Sequence, residues 1–77
     1  EKAAYSYEKV KKALELGAVQ TLIISEKVPR ATLKELSQIA DKMGTQIEIV
    51  SVKTGEGEQF FNLSGIGALL RFAAHLD

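Results

Sequence analysis

No cysteine occurs in this chain of 77 residues, so neither a disulfide nor a thiolate metal site can hold it together. That fits a reducing compartment, and cytoplasm is the expected location. Histidine and proline each occur once. His75 has no second histidine or cysteine with which to share a zinc ion, and it would have to serve any nucleophile triad alone, so no metal is expected. The 10 basic and 10 acidic side chains cancel, which removes a general attraction to nucleic-acid backbone or anionic membrane. Every apolar run is far shorter than the ~20 residues of a membrane span, and the start of the chain lacks a signal-peptide profile. Because the first residue is Glu1 rather than Met, a piece cut from a longer protein is the expectation.

What remains is the balance of an ordinary folded domain, 45% apolar and 26% charged residues. Residues 1–77 read as one domain, which at this size still exposes about 40% of its unfolded surface. Ser6 can cap a helix whose apolar positions Tyr7, Val10 and Leu14 recur at three and four, with Lys9, Lys11, Lys12 and Glu15 on the wet side. Gly17 ends it. Val19 to Ser25, VQTLIIS, places Leu22, Ile23 and Ile24 in a row and reads as a central strand covered on both faces.

Pro29 breaks the extension, and Thr32-Leu33-Lys34-Glu35 reads as a capping box that starts a second helix bearing Leu33, Leu36, Ile39, Ala40 and Met43 on one side. Gly44 stops it. Gln46 to Val52 reads as another strand, with Glu48 exposed. Thr54 can cap a short helix with Glu56 and Glu58 in its first turn, although Gly55 and Gly57 oppose it. The segment SGIGALLRF then supplies a third strand, roughly Ala68 to Phe72, after a glycine bend at Gly65 and Gly67. Helix and strand in alternation give an α/β domain, with no repeat or long linker.

Several chemistries are excluded. Gly65-Ile66-Gly67 begins like a dinucleotide fingerprint, but Leu70 stands at the third glycine position. Gly55-Glu56-Gly57-Glu58 as a phosphate cradle would set two carboxylates against phosphate. No nucleophile elbow surrounds any serine, and Glu56 with Glu58 is a common surface pair rather than an acid–base pair. No catalytic residue and no cofactor is therefore expected.

The stretch GTQIEIVSVKTGEGEQFFNLSGIGALLRF, Gly44 to Phe72, resembles the carboxy-terminal domain of the class-one translation termination factors of archaea and eukaryotes. There an EIV strand leads to EG-x-QF and to a GIG-G-ILRY-like ending. YEKVKKALELGAVQTLIISE, Tyr7 to Glu26, is similar to that family's first helix and strand. Two departures stand out. Only Glu26 to Arg30 join strand and helix where the family usually carries an inserted minidomain. Ser64 and Ala68 replace glycines and Phe72 a tyrosine, which brings the ending nearer to Pelota, the paralogous ribosome-rescue factor, while EGEQF and GIG side with the termination factor.

The resemblance implies an α/β sandwich with a mixed sheet and helices on its faces, similar to kink-turn-binding ribosomal proteins. It also implies a docking role at the ribosome, toward a translational GTPase related to the elongation factor that delivers aminoacyl-tRNA (or a class-two release factor) and toward the ABC-type recycling ATPase. No membrane or small-molecule substrate is implied. Peptidyl-tRNA hydrolysis in the family belongs to a Gly-Gly-Gln tripeptide, absent here, so an enzyme is not expected. On this reading Gly65, Ile66, Gly67, Arg71 and Phe61 contact a partner, Arg71 by pairing with a carboxylate. Leu69, Leu70 and Phe72 pack, and of Phe60 and Phe61 one is core and the other an exposed anchor. A rival of another class is an RNA-binding domain, with Lys2, Lys9, Lys11 and Lys12 as its basic face.

Overall fold

Seven elements follow one another between residues 3 and 72, the part of the chain that the computed structural model describes. They are β1 (Ala3–Tyr5), α1 (Tyr7–Glu15), β2 (Val19–Ser25), α2 (Arg30–Lys42), β3 (Gln46–Val50), α3 (Gly55–Leu63) and β4 (Ile66–Leu70). The strands form one mixed sheet in the order β1-β4-β2-β3, with β3 parallel to β2 and β4 antiparallel to both β1 and β2. The expected α/β class, mixed sheet and helix-covered faces are all present, and β2 lies inside the sheet as its apolar run requires.

One face of the sheet carries the core. Leu22 and Ile24 of β2, Ala68 and Leu70 of β4 and Ala4 of β1 are buried against Val10, Ala13 and Leu14 of α1 and Leu36 and Ala40 of α2. The three- and four-residue spacings of those helix positions make one apolar stripe per helix. Small residues at 4, 13, 40 and 68 let backbone approach backbone, while each fully buried leucine adds about 1.5 to 3 kcal/mol. Gly17 and Gly44 end α1 and α2 with φ of 70° and 68°, the left-handed conformation that glycine takes without a Cβ penalty.

The structure departs from the sequence reading in one added strand and in the bounds of three other elements. A first strand, β1, precedes Ser6; three residues are too few for periodicity to announce, and β1 exists only because β4 pairs with it. α2 starts at Arg30 with Pro29 as its cap residue, so Thr32 and Glu35 lie inside the helix and make no capping box. The Pro29 carbonyl accepts from the Leu33 amide at 3.0 Å, and the Glu35 carboxylate is used elsewhere. β3 stops at Val50, whose carbonyl accepts from the Glu26 amide at 2.9 Å. β4 runs from Ile66 to Leu70 rather than from Ala68 to Phe72, since Ile66 and Gly67 already pair with Ile24 and Ile23.

Between β1 and α1, Ser6 has φ 124° and ψ 151°, a region that essentially only glycine occupies without strain. Its hydroxyl accepts from the Lys9 amide at a long 3.4 Å, a weak cap. Replacing a serine cap by glycine costs only a few tenths of a kcal/mol, whereas relief of such strain gains about 1 kcal/mol or more. Glycine also adds unfolded-chain entropy worth about 0.4 to 1 kcal/mol, so Ser6→Gly is expected to raise the free energy of unfolding in urea by up to about 1 kcal/mol; a fall in stability would show that the hydroxyl and the chain entropy outweigh the strain.

Candidate protein-docking surface

The surface is built from the turn at Gly65. With φ 74°, Gly65 reverses the chain between α3 and β4; its amide donates to the Phe60 carbonyl at 2.9 Å and its carbonyl accepts from the Ser25 amide at 2.7 Å. A Cβ there would meet Val28 at 3.0 Å, Phe61 at 3.1 Å and Ser25 at 3.2 Å, so both the dihedral and the packing call for glycine. Gly67 is not part of the bend. It lies within β4, opposite Tyr5 on one side and Ile23 on the other, and its missing side chain makes room for the Phe60 ring, 3.4 Å from where a Cβ would stand.

Strand alternation sends Ile66, Ala68 and Leu70 into the core and leaves Gly67 and Leu69 on the opposite, outer face. Gly65, Ile66 and Gly67 are thus buried, and any contact they make with a partner is indirect, through the neighbours they position. Leu69 is 48% exposed and Phe72 57% exposed, so neither packs as expected. The strand ends at Leu70, and alternation no longer governs Phe72.

Short α3 lies over one end of this outer face. Thr54 caps it, its hydroxyl accepting from the Gly57 amide at 3.0 Å as its position suggested. Gly57 is the residue of α3 that is buried, set so tightly on the Ser51 carbonyl that no Cβ could fit. Phe60 and Phe61 are both half-buried rather than one core and one exposed, Phe60 over Gly67 and Phe61 against Gly65. Beside them Tyr5, Phe60, Leu63 and Ser64 line a cleft of about 310 Å³. Tyr5 is 66% exposed and Leu63 78%. Leu69, paired across the sheet with Ala3 and Thr21, lies on the same outer face, diagonal to Tyr5, and extends this apolar, aromatic surface along β4. Tyr5, Leu63 and Leu69 were missed as surface residues: Tyr5 sits in the unannounced strand, Leu63 was given no role, and Leu69 read as packing.

Arg71 serves the fold. Its Nε donates to the Val19 carbonyl at 3.0 Å, and one terminal nitrogen donates to the carbonyls of Gly44 at 3.2 Å and Met43 at 3.4 Å. A register shift in β2 between Val19 and Thr21 takes the Val19 carbonyl off the regular ladder, and the Thr45 hydroxyl also donates to it at 3.0 Å. The guanidinium also stands at the negative end of the α2 dipole. The sequence reading gave Arg71 to a partner carboxylate; here it joins β4, the β2 bulge and the end of α2.

On the other side of the domain, α1 and α2 are tied through Glu35, which accepts from the Tyr7 hydroxyl and lies 3.4 Å from Lys11 Nζ. The Tyr7 hydrogen bond, aided by Lys11, holds the Glu35 carboxyl below its usual value. Glu26 accepts from the Val52 amide at 2.8 Å and the Ser51 hydroxyl at 3.0 Å, and these bonds, the backbone one first, lower its pKa as well. Lys11 is thus committed to an intramolecular pair, while Lys2 and His75 lie outside the described residues. No group of three or more His, Cys, Asp or Glu side chains that could hold a metal occurs among the described residues. No helix among them is long and apolar enough to cross a membrane.

Residues 1–74 match the family model for eRF1 domain 3. The chain belongs to that family. A member, the pelota homolog of Methanocaldococcus jannaschii, is 38% identical over 71 residues, which cover 91% of this chain and 20% of the relative. The archaeal translation termination factor aRF1 superimposes with a TM-score of 0.82 at 36% identity, over 92% of this chain and 20% of that one. Dom34 of S. cerevisiae, a translation termination-like factor described as interacting with Hbs1, gives 0.85 at 28% identity, over 95% of this chain and 22% of that one. Archaeal Pelota from a ribosome-bound model with ABCE1 gives 0.82 at 29%, over 96% and 22%. This eRF1 domain 3 chain therefore spans about a fifth of the length of the proteins it matches.

Removing the Arg71 guanidinium leaves the Val19 carbonyl to Thr45 alone and the exposed Met43 and Gly44 carbonyls to water, and hydrogen bonds to a charged group are worth about 1.5 to 3 kcal/mol. Arg71→Ala is expected to lower the unfolding free energy by about 2 kcal/mol, read from the urea midpoint. An unchanged midpoint would return Arg71 to the surface role the sequence suggested.

Proposed function

We propose that this domain is a docking module of a ribosome-associated factor, binding a translational GTPase and an ABC-type recycling ATPase and carrying out no reaction itself. The observation that carries the reading is the Tyr5–Phe60–Leu63–Leu69 patch, left open by α3 in a domain whose small size makes exposed aromatic residues costly unless they are used. Family membership supports it, since the relatives named above include a protein interacting with Hbs1 and one on the ribosome with ABCE1. Cytoplasmic location follows from the same reading.

Within that role two assignments compete, and different observations favour them. The EGEQF and GIG words side with termination. Continuity of alignment sides with rescue: the pelota homolog needs 71 residues to cover 91% of this chain, whereas the release factor subunit of Thermococcus onnurineus needs 115 to cover 88%, so the latter holds a long insertion with no counterpart here. Recovery of the full coding sequence separates them, by whether it encodes the Gly-Gly-Gln tripeptide. The RNA-binding rival loses support from the Lys11–Glu35 pair, which draws one lysine of its basic face into the α1–α2 contact.

Calorimetric titration of the domain with an archaeal elongation-factor-like GTPase and with the recycling ATPase tests the docking role. Binding of at least one is expected, weakened tenfold or more by Tyr5→Ser with Leu69→Ser, at an unchanged melting temperature. A folded domain that ignores both proteins would refute the proposal.

A further inference from the structure

The two edges of the sheet are unlike. β1 is a three-residue strand, too short to offer much of a template, while β3 is a five-residue run, QIEIV, exposed along almost all of its length. Edge strands are ordinarily blunted by proline, lysine, a bulge or a covering helix. β3 contains neither proline nor lysine and pairs with β2 in unbroken register from Gln46 to Val50. Its Ile47 and Ile49, in register with buried Leu22 and Ile24, are 41% and 52% exposed because α2 stops short of the edge. The space left between them is a cleft of about 300 Å³ lined by Lys34, Ser37, Gln38, Asp41 and Ile47.

We propose that the edge of β3, which no other strand among the described residues covers, takes an extended segment of a partner protein as an added strand, one with two apolar residues flanking a lysine or arginine. Backbone pairing to β3 supplies the affinity and the alternate side chains the selectivity, as in strand addition generally. The apolar residues extend the rows begun by Ile47 and Ile49 and fill the cleft beside α2. The cation falls on the outer face opposite Glu48, an exposed carboxylate at the centre of the strand. The same carboxylate argues against a second copy of this chain: in a symmetric antiparallel pairing centred on β3, Glu48 would face its own copy, and like charges directly opposite are destabilising. This site is distinct from the patch around Tyr5 and does not rest on the docking role assigned there.

The probe is a blocked synthetic peptide, Thr-Val-Lys-Val-Thr, with its Lys-to-Glu counterpart, titrated into the isotope-labelled domain and followed at backbone amides. The Lys peptide is expected to shift Ile47 to Val50 and to bind roughly threefold to tenfold more tightly than the Glu peptide, the range a cross-strand charge pair supplies when attraction becomes repulsion. Glu48→Lys, at an exposed site that leaves the core untouched, should reverse the order, and Glu48→Gln should erase it. The proposal is overturned if β3 amides stay still at millimolar peptide, if both peptides bind equally, or if sedimentation shows the domain pairing with itself through β3.

Discussion

Because the last strand inserts between the first and the second, the sheet depends on the reversal at Gly65. The chain must leave α3 and enter β4 within two residues while threading between Ser25, Val28 and Phe61. Only a residue without Cβ satisfies both the left-handed dihedral and that space. Once the turn is made, β4 joins β1 on one side and β2 on the other, and five successive residues find partners. Arg71 then fastens the end of β4 to the β2 bulge and to the carboxy-terminal carbonyls of α2.

That construction leaves the two faces unequal. Two amphipathic helices, α1 and α2, cover the inner face and bury the core, whereas α3 alone covers only part of the outer one. A small domain can tolerate aromatic residues in water only at some cost in solubility, so the uncovered patch around Tyr5 has the character of a binding surface. Rigidity matters for such a surface. Tyr5 and Leu69 stand on paired strands, and Phe60 is seated over Gly67, so the backbone geometry of the sheet sets where these side chains start.

Much of this arrangement was legible in the sequence. The run of β2, the glycine stops at 17 and 44 and the Thr54 cap each leave a local signature and are where they were expected, and the stripes of α1 and α2 are buried or half-buried except at their ends, where Tyr7 and Met43 are exposed. What stayed hidden was non-local. β1 has no periodicity of its own and is a strand only by pairing with a segment more than sixty residues away. The Thr32–Glu35 words fit a capping box, but Pro29 starts the helix earlier and Glu35 bonds to Tyr7, a contact across helices that no short window contains. The family resemblance drew attention to the segment from Gly65 to Arg71, while the division between buried Gly65–Gly67 and exposed Leu69 required the register of β4.

The central claim is that the outer face of the sheet, and not the helical face, meets the partner. Its most direct measurement is a map of amide shifts in the labelled domain as the GTPase is added. The account predicts that the largest changes fall at Tyr5, Phe60, Leu63 and Leu69 while α1 and α2 stay quiet. Changes concentrated on α1 and α2, with the Tyr5 patch unmoved, would contradict it.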